Sequence, residues 1–188
     1  MTRIIAGRHG GRRLAVPDDG TRPTSDRVRE AVFNILESRI DLDGARVLDL
    51  YAGSGALGIE ALSRGAASAA LVDARRRATA VIAKNLATVG AQDVGSVVTR
   101  RVADHLAGDA QIFDVVFVDP PYDLDGQVLA AELEVVAGRW LGADGIVVVE
   151  RSARTPAVAV PGDLAVLVEK VYGDTRVTVL GRASGVAQ

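Results

Sequence analysis

Cysteine is absent from this 188-residue sequence, lysine occurs twice, histidine twice, and aromatic residues make up only 4%. The lack of cysteine excludes disulfides and thiolate metal sites, and His9 and His105 are too few and too scattered for a histidine metal cluster. No run of about 18 apolar residues occurs. The opening Met1-Thr2-Arg3-Ile4-Ile5-Ala6-Gly7-Arg8 also lacks the long apolar segment and cleavage site of a signal peptide. A soluble, cytoplasmic protein with no membrane partner is expected. With so few aromatics and no obvious exposed apolar stripe, a monomer is expected as well.

What is present is an apolar fraction of 48%, enough for one good core at the size of a single domain. The net charge of -2 is unevenly spread. Residues 1–30 hold seven arginines against four acids, a net +3, so residues 31–188 carry -5. A pI near 5.7 argues against coating nucleic acid by charge alone but permits a local basic patch.

Arg3-Ile4-Ile5-Ala6-Gly7 and Gly11-Arg12-Arg13-Leu14-Ala15-Val16-Pro17 read as a small hairpin, so residues 1–20 form an N-terminal β-hairpin extension to a domain over 21–188. A helix follows, capped by Thr24 or Ser25, with Val28, Val32, Ile35 and Leu36 as its apolar stripe. From Ala45 the pattern alternates strand and helix. Strands are expected at 46–50, 69–73, 97–100, 114–118 and 145–150. Helices are expected after the glycine loop, along the stripe Ala78, Ile82, Leu86 and Val89, near Asp104, and over 126–137. Near-continuous Val/Leu strands between helices imply an α/β fold with a mostly parallel sheet covered on both faces. Two final strands joined at Gly173-Asp174 imply an antiparallel hairpin.

Asp49-Leu50-Tyr51-Ala52-Gly53-Ser54-Gly55-Ala56-Leu57-Gly58 contains a literal G-x-G-x-x-G, with Asp73 twenty residues beyond Gly53. That is also the spacing of a dinucleotide fingerprint, so the loop alone does not decide between ligands. An ionised Asp49 at the mouth of the first strand would oppose a pyrophosphate. The same carboxylate suits the ammonium and sulfonium of S-adenosyl-L-methionine. Asp73 suits ribose hydroxyls in either ligand.

Asp119-Pro120-Pro121-Tyr122 ends the strand at 114–118, because proline cannot donate to a ladder and forces the preceding residue into extended backbone. Such a loop has a use in methyl transfer to nitrogen. If the Asp119 carboxylate and the Pro120 carbonyl accept from an exocyclic NH2, the nitrogen can move toward sp3 geometry without a strong general base. Pro121 stiffens the loop, and Tyr122 offers a ring for a base that has left its helix.

The chain resembles the RsmD family of bacterial 16S rRNA guanine-N2 methyltransferases over nearly its whole length. The resemblance is carried by Arg3-Ile4-Ile5-Ala6-Gly7, Arg22-Pro23-Thr24-Ser25-Asp26-Arg27-Val28-Arg29-Glu30, the loop from Leu50 to Ala66, Lys84-Asn85-Leu86, Val116 to Tyr122 and Val147 to Glu150. It implies a Rossmann-like seven-stranded methyltransferase fold. It also implies methylation of N2 on one guanine of 16S rRNA, guanine 966, in the small ribosomal subunit. By the same resemblance, Asp49, Tyr51, Gly53, Ser54 and Gly55 form the cofactor loop, Asp73 binds ribose, and Asp119 to Tyr122 form the catalytic loop. Arg8, Arg12, Arg13, Arg22, Arg27 and Arg29 are candidates for RNA phosphates. One departure concerns adenine recognition. Arg101 stands where similar enzymes place Asp or Asn, which leaves the Val102 backbone or Asp104. Three alternatives compete: amino methylation of DNA adenine or protein glutamine, an NAD-dependent oxidoreductase, and a non-catalytic rRNA-binding assembly factor. The arginine block disfavours a glutamine target. Asp49 disfavours NAD.

Overall fold

The computed structural model describes residues 2–17 and 25–183. Two minimal strands, β1 (Thr2–Arg3) and β2 (Arg13–Leu14), pair antiparallel around a 3-10 turn at Gly7–His9. Then come α1 (Asp26–Glu37), β3 (Arg46–Leu50), α2 (Ala56–Ser63), β4 (Ser68–Asp73), α3 (Arg76–Val89), β5 (Gly95–Thr99), α4 (Val102–Leu106), β6 (Phe113–Val118) and α5 (Gly126–Val135). A π-helical turn over Val136–Trp140 leads into β7 (Leu141–Ser152), followed by β8 (Leu164–Tyr172) and β9 (Thr175–Arg182).

The main sheet has seven strands in the order β5-β4-β3-β6-β7-β9-β8. The first five in that order are parallel, and β9 runs antiparallel to both β7 and β8. This is the α/β fold expected from the alternation, with the expected C-terminal hairpin. Chain order reverses direction between β3 and β6, so a crevice opens beyond the carboxyl ends of those two strands.

Strand residues alternate between two cores because successive side chains point to opposite faces. Val47, Leu71, Val115, Phe117 and Val148 face α1, α2 and α3, whereas Leu48, Leu50, Val116, Val118 and Val147 face α4 and α5. Asp49 falls on the first of these faces and is buried there at 1% exposure, a carboxylate in an apolar position. Ile4 and Leu14 of the small hairpin join the same core as α1 to α3.

Details depart from the sequence reading where backbone geometry intervenes. Ser25 is the cap of α1, its hydroxyl accepting from the Val28 N–H at 3.2 Å; Thr24 lies outside the described residues. α5 ends at Val135 rather than 137, because the π-helical turn takes over and brings Trp140 into the core. β7 begins at Leu141, and its pairing with β6 shifts between Phe113↔Leu141 and Val115↔Ile146, leaving extra residues bulged around Gly142–Gly145.

Candidate active site

The loop leaving β3 turns sharply into α2, and its glycines are there for space and backbone sign. Gly55 has φ +76°, and a Cβ on it would lie 2.9 Å from Leu71 Cδ2; one on Gly58 would meet the same methyl at 2.9 Å and Asp49 Oδ2 at 3.2 Å. Only glycine lets α2 close on β4 while Asp49 reaches across. Its Oδ2 accepts from the Gly58 N–H at 2.9 Å. Tyr51 holds φ +61°, a left-handed conformation uncommon for an aromatic residue, which marks strain at the start of the loop.

Burial pushes the Asp49 carboxyl up to about 7, and the nearby charges of Asp119 and Asp73 push the same way against the Gly58 hydrogen bond. Three acids therefore meet at the carboxyl ends of β3, β4 and β6. That field favours a positively charged ligand, which would restore Asp49 to its ionised form. Asp73 is buried and multiply engaged: Oδ2 accepts from the Gly53 N–H at 3.0 Å, and both oxygens accept from the Arg75 guanidinium at 3.1 and 3.2 Å. A ribose diol bound at Asp73 would have to displace that guanidinium. Ser54 is buried, and its carbonyl is taken by Asn85. The Tyr51 hydroxyl donates to Glu132 Oε2 at 2.6 Å on α5, so what Tyr51 can offer a ligand is its ring and backbone.

The Asp-Pro-Pro-Tyr segment is irregular, as its prolines require, and it follows β6 directly. The Asp119 N–H points at the Leu50 carbonyl at 3.5 Å, tying this loop to the cofactor side. Asp119 is half-buried, Pro120 buried and Pro121 exposed, and Tyr122 is 58% exposed at the rim. Asp125 caps α5 by accepting from the Gln127 N–H at 2.7 Å, which anchors the far end of the loop. Beyond β5, Arg101 is exposed at the start of α4. Val102 is buried, with its N–H at the first helical position, where no intrahelical acceptor exists, and Asp104 is exposed. His105 packs against Trp140 with ring centroids 4.9 Å apart, and burial followed by the Arg100 charge lowers its pKa.

The arginines expected at RNA do not stand together. Arg29 corrects that expectation. It is fully buried, its Nη2 donating to Thr2 Oγ1 at 3.1 Å and Asp26 Oδ1 at 3.0 Å, with Nε 3.6 Å from Glu60 Oε2. A guanidinium held this way fastens the N-terminal strand to α1 and α2 and cannot reach a phosphate. Arg22 lies outside the described residues. Arg27 is exposed in the first turn of α1, and Arg13 is exposed on β2. Arg8 and Arg12 are exposed on the small hairpin, beside the C-terminal ends of α2 and α3. Next to Arg8, the His9 N–H donates to Ser63 at the end of α2, and the Arg12 guanidinium donates to the Thr88 carbonyl near the end of α3.

Other side chains that shape the site lie in segments that carry the resemblance but had no role assigned from sequence. Glu60 is fully buried on α2, where it accepts from the Ile5 and Ala6 N–H groups at 2.7 and 3.0 Å and from Arg64 at 2.9 Å. Asn85 donates to the Ala15 and Ser54 carbonyls and accepts from the Ala15 N–H, using its whole amide. Both were visible as polar residues in apolar surroundings: Glu60 lies in an otherwise apolar helix, and Asn85 lies beside the stripe of α3.

The sequence model of the family described as Conserved hypothetical protein 95 matches residues 2–181. Ribosomal RNA small subunit methyltransferase D of Escherichia coli (strain K12) is 41% identical over 173 residues, covering 91% of this chain and 85% of that protein. YlbH of Bacillus subtilis (strain 168) is 37% identical over 182 residues, covering 94% and 97%. Among solved structures, the yhhF protein of Escherichia coli superposes with a TM-score of 0.86 at 36% identity, covering 100% of this chain and 99% of that one.

Proposed function

Because the chain belongs to the Conserved hypothetical protein 95 family, the RsmD family, we propose that it is an S-adenosyl-L-methionine-dependent methyltransferase acting on rRNA. Its target is the exocyclic N2 of a single guanine in 16S rRNA, guanine 966, presented by the assembled or assembling small ribosomal subunit in the cytoplasm. The protein acts as a monomer, with residues 1–20 as an extension of the methyltransferase domain at 21–188. The observation that carries this reading is the meeting of Asp49, Asp73 and Asp119 at the switch point, beside a half-buried Asp-Pro-Pro-Tyr loop.

When bound, the cofactor supplies an electrophilic methyl group on a sulfonium. The buried Asp49 would face that positive charge, Asp73 would accept from the ribose hydroxyls once Arg75 turned aside, and the Val102 N–H would be left for the adenine. Gly53, Ser54 and Gly55 keep the backbone close to the ligand. Asp119 and the Pro120 carbonyl accept from the two N–H bonds of the guanine amine, which draws its lone pair out of conjugation with the ring. As the new N–C bond forms, the S–CH3 bond would break with its electron pair staying on sulfur as the neutral thioether S-adenosylhomocysteine, and a proton would leave the nitrogen to water. Pro121 holds the loop rigid, and the exposed Tyr122 ring stacks on the flipped base, a contact worth roughly 1–3 kcal/mol.

The test uses small ribosomal subunits from a strain lacking this gene, incubated with the protein and labelled S-adenosyl-L-methionine, then digested to nucleosides for mass spectrometry. Label in N2-methylguanosine of 16S rRNA is the expected outcome. Label on DNA or protein instead would move the chemistry to another amine, and no label with folded protein would favour an assembly factor. Asp119→Ala should lower turnover by about 100-fold or more while cofactor affinity stays within a few fold. Wild-type turnover in that variant would remove Asp119 from the mechanism.

A further inference from the structure

Four arginines that the catalytic reading leaves unused stand at the edge of the sheet that carries the site. Arg76 and Arg77 open α3, and Arg100 and Arg101 join β5 to α4. Three contacts bring the two segments side by side. Asp73 pairs with Thr99 across β4 and β5, the Arg100 N–H donates to the Asp73 carbonyl at 3.1 Å, and the hydroxyls of Thr79 and Thr99 lie 2.8 Å apart. Arg76 precedes Thr79 by one helical turn and so shares its face. Arg101 lies close enough to the cofactor loop for its charge to act on the Tyr51 hydroxyl.

All four side chains are exposed, and none forms a hydrogen bond or ion pair among the described residues. Of the acids nearby, Asp73 is already paired with Arg75, and Asp104 is exposed within α4. A patch of like charges repels itself, and an acidic protein with a net charge of -2 has counterions to offer it. Exposed and unpaired, the four guanidiniums stay hydrated, with their donors open to a polyanion. A planar guanidinium matches phosphate oxygens with two parallel hydrogen bonds.

Position separates this patch from the N-terminal arginines. With strands about 4.8 Å apart, the ends of β4 and β5 lie about 10 and 14 Å from the end of β6, along the same edge as the catalytic loop. Arg12 is instead held at Thr88, about 18 Å down α3 from Arg76 at 1.5 Å per residue, toward the opposite edge.

We infer that Arg76, Arg77, Arg100 and Arg101 form a phosphate-binding surface for the RNA on the cofactor side of the pocket, holding the backbone next to the flipped nucleotide. This rests on the rRNA methyltransferase reading above. The test compares wild type, the triple variant Arg76→Glu/Arg77→Glu/Arg100→Glu, and Arg8→Glu/Arg12→Glu. Binding to small subunits from a strain lacking the gene is followed by co-sedimentation across a salt series. Methyl transfer is measured on the same subunits, and cofactor affinity by calorimetry.

The triple variant should show a salt slope flatter by about 0.7 per lost contact and a KM raised on the order of tenfold, with cofactor affinity unchanged. Arg8→Glu/Arg12→Glu should change both by less. An unchanged salt slope in the triple variant, or a defect explained by weaker cofactor binding alone, would overturn the inference. If wild type binds subunits without methylating them, the functional reading fails while the slope still judges this surface. If wild type does not bind them, both readings fall.

Discussion

Two small antiparallel units flank the five parallel strands, and they are attached by different physics. The C-terminal hairpin of β8 and β9 adds to β7 through a long ladder, from Ile146↔Gly181 to Ser152↔Thr175, and buries Val177, Val179 and Leu180. The N-terminal pair of β1 and β2 has only Thr2↔Leu14 and Arg3↔Arg13 in register. A two-stranded unit that short does not hold itself together in water. It is fastened instead by buried polar groups: Glu60 on the Ile5 and Ala6 amides, Ser63 on the Ala6 carbonyl and His9 amide, Asn85 on Ala15, and Arg29 on Thr2. An apolar ladder tolerates exchange of side chains of similar volume, whereas a buried polar contact accepts one geometry and makes other dockings costly. The first arrangement closes a core. The second fixes where the N-terminal segment sits relative to α2, the helix that follows the glycine loop, and Asn85 joins that segment directly to Ser54 of the loop.

The sharpest way to break this contrast is Glu60→Ala. It would leave the buried Arg29 without its partner on α2 and strip two amides of their acceptor, so a loss of about 3–5 kcal/mol in denaturant unfolding is expected. A loss below 1 kcal/mol would mean that the joint is not polar in its energetics. On the other side, Leu180→Ala empties an apolar site and should cost about 2–5 kcal/mol while leaving cofactor affinity untouched. The smallest expected effect on stability, about 1–3 kcal/mol, belongs to Asn85→Ala. That substitution should also weaken S-adenosyl-L-methionine binding measured by calorimetry, because the Ser54 carbonyl loses its donor. If Leu180→Ala weakened cofactor binding as much as Asn85→Ala does, the two regions would not differ in kind.

Much of the site was legible because its chemistry is local. The prolines after Asp119 end a strand wherever they occur, and the glycine loop announces a close approach that only glycine permits at positions 55 and 58. The hairpin at Gly173-Asp174 and the stripe of α3 were equally plain, since both follow from neighbours along the chain. The arginines were not legible in this way. Arg27 and Arg29 are two residues apart on one helix, yet one is exposed and the other is fully buried against Glu60, which comes 31 residues later than Arg29. Charge density near the N-terminus pointed to the hairpin as the basic surface, while Arg76, Arg77 and Arg100 drew no notice, and Arg101 only as a departure at the adenine position, because the segments holding them are separated by a helix and a strand.

The sequence by itself determined the order of strands and helices along the chain, the two loops of the candidate site, and the family, because backbone preference, periodicity and short motifs depend on residues close together in the chain. Only the tertiary structure decided which charges are spent inside the protein and which edge of the sheet each exposed one occupies. A guanidinium's role is set by the carboxylates and solvent around it, and those are brought to it by strand crossings that no local pattern records.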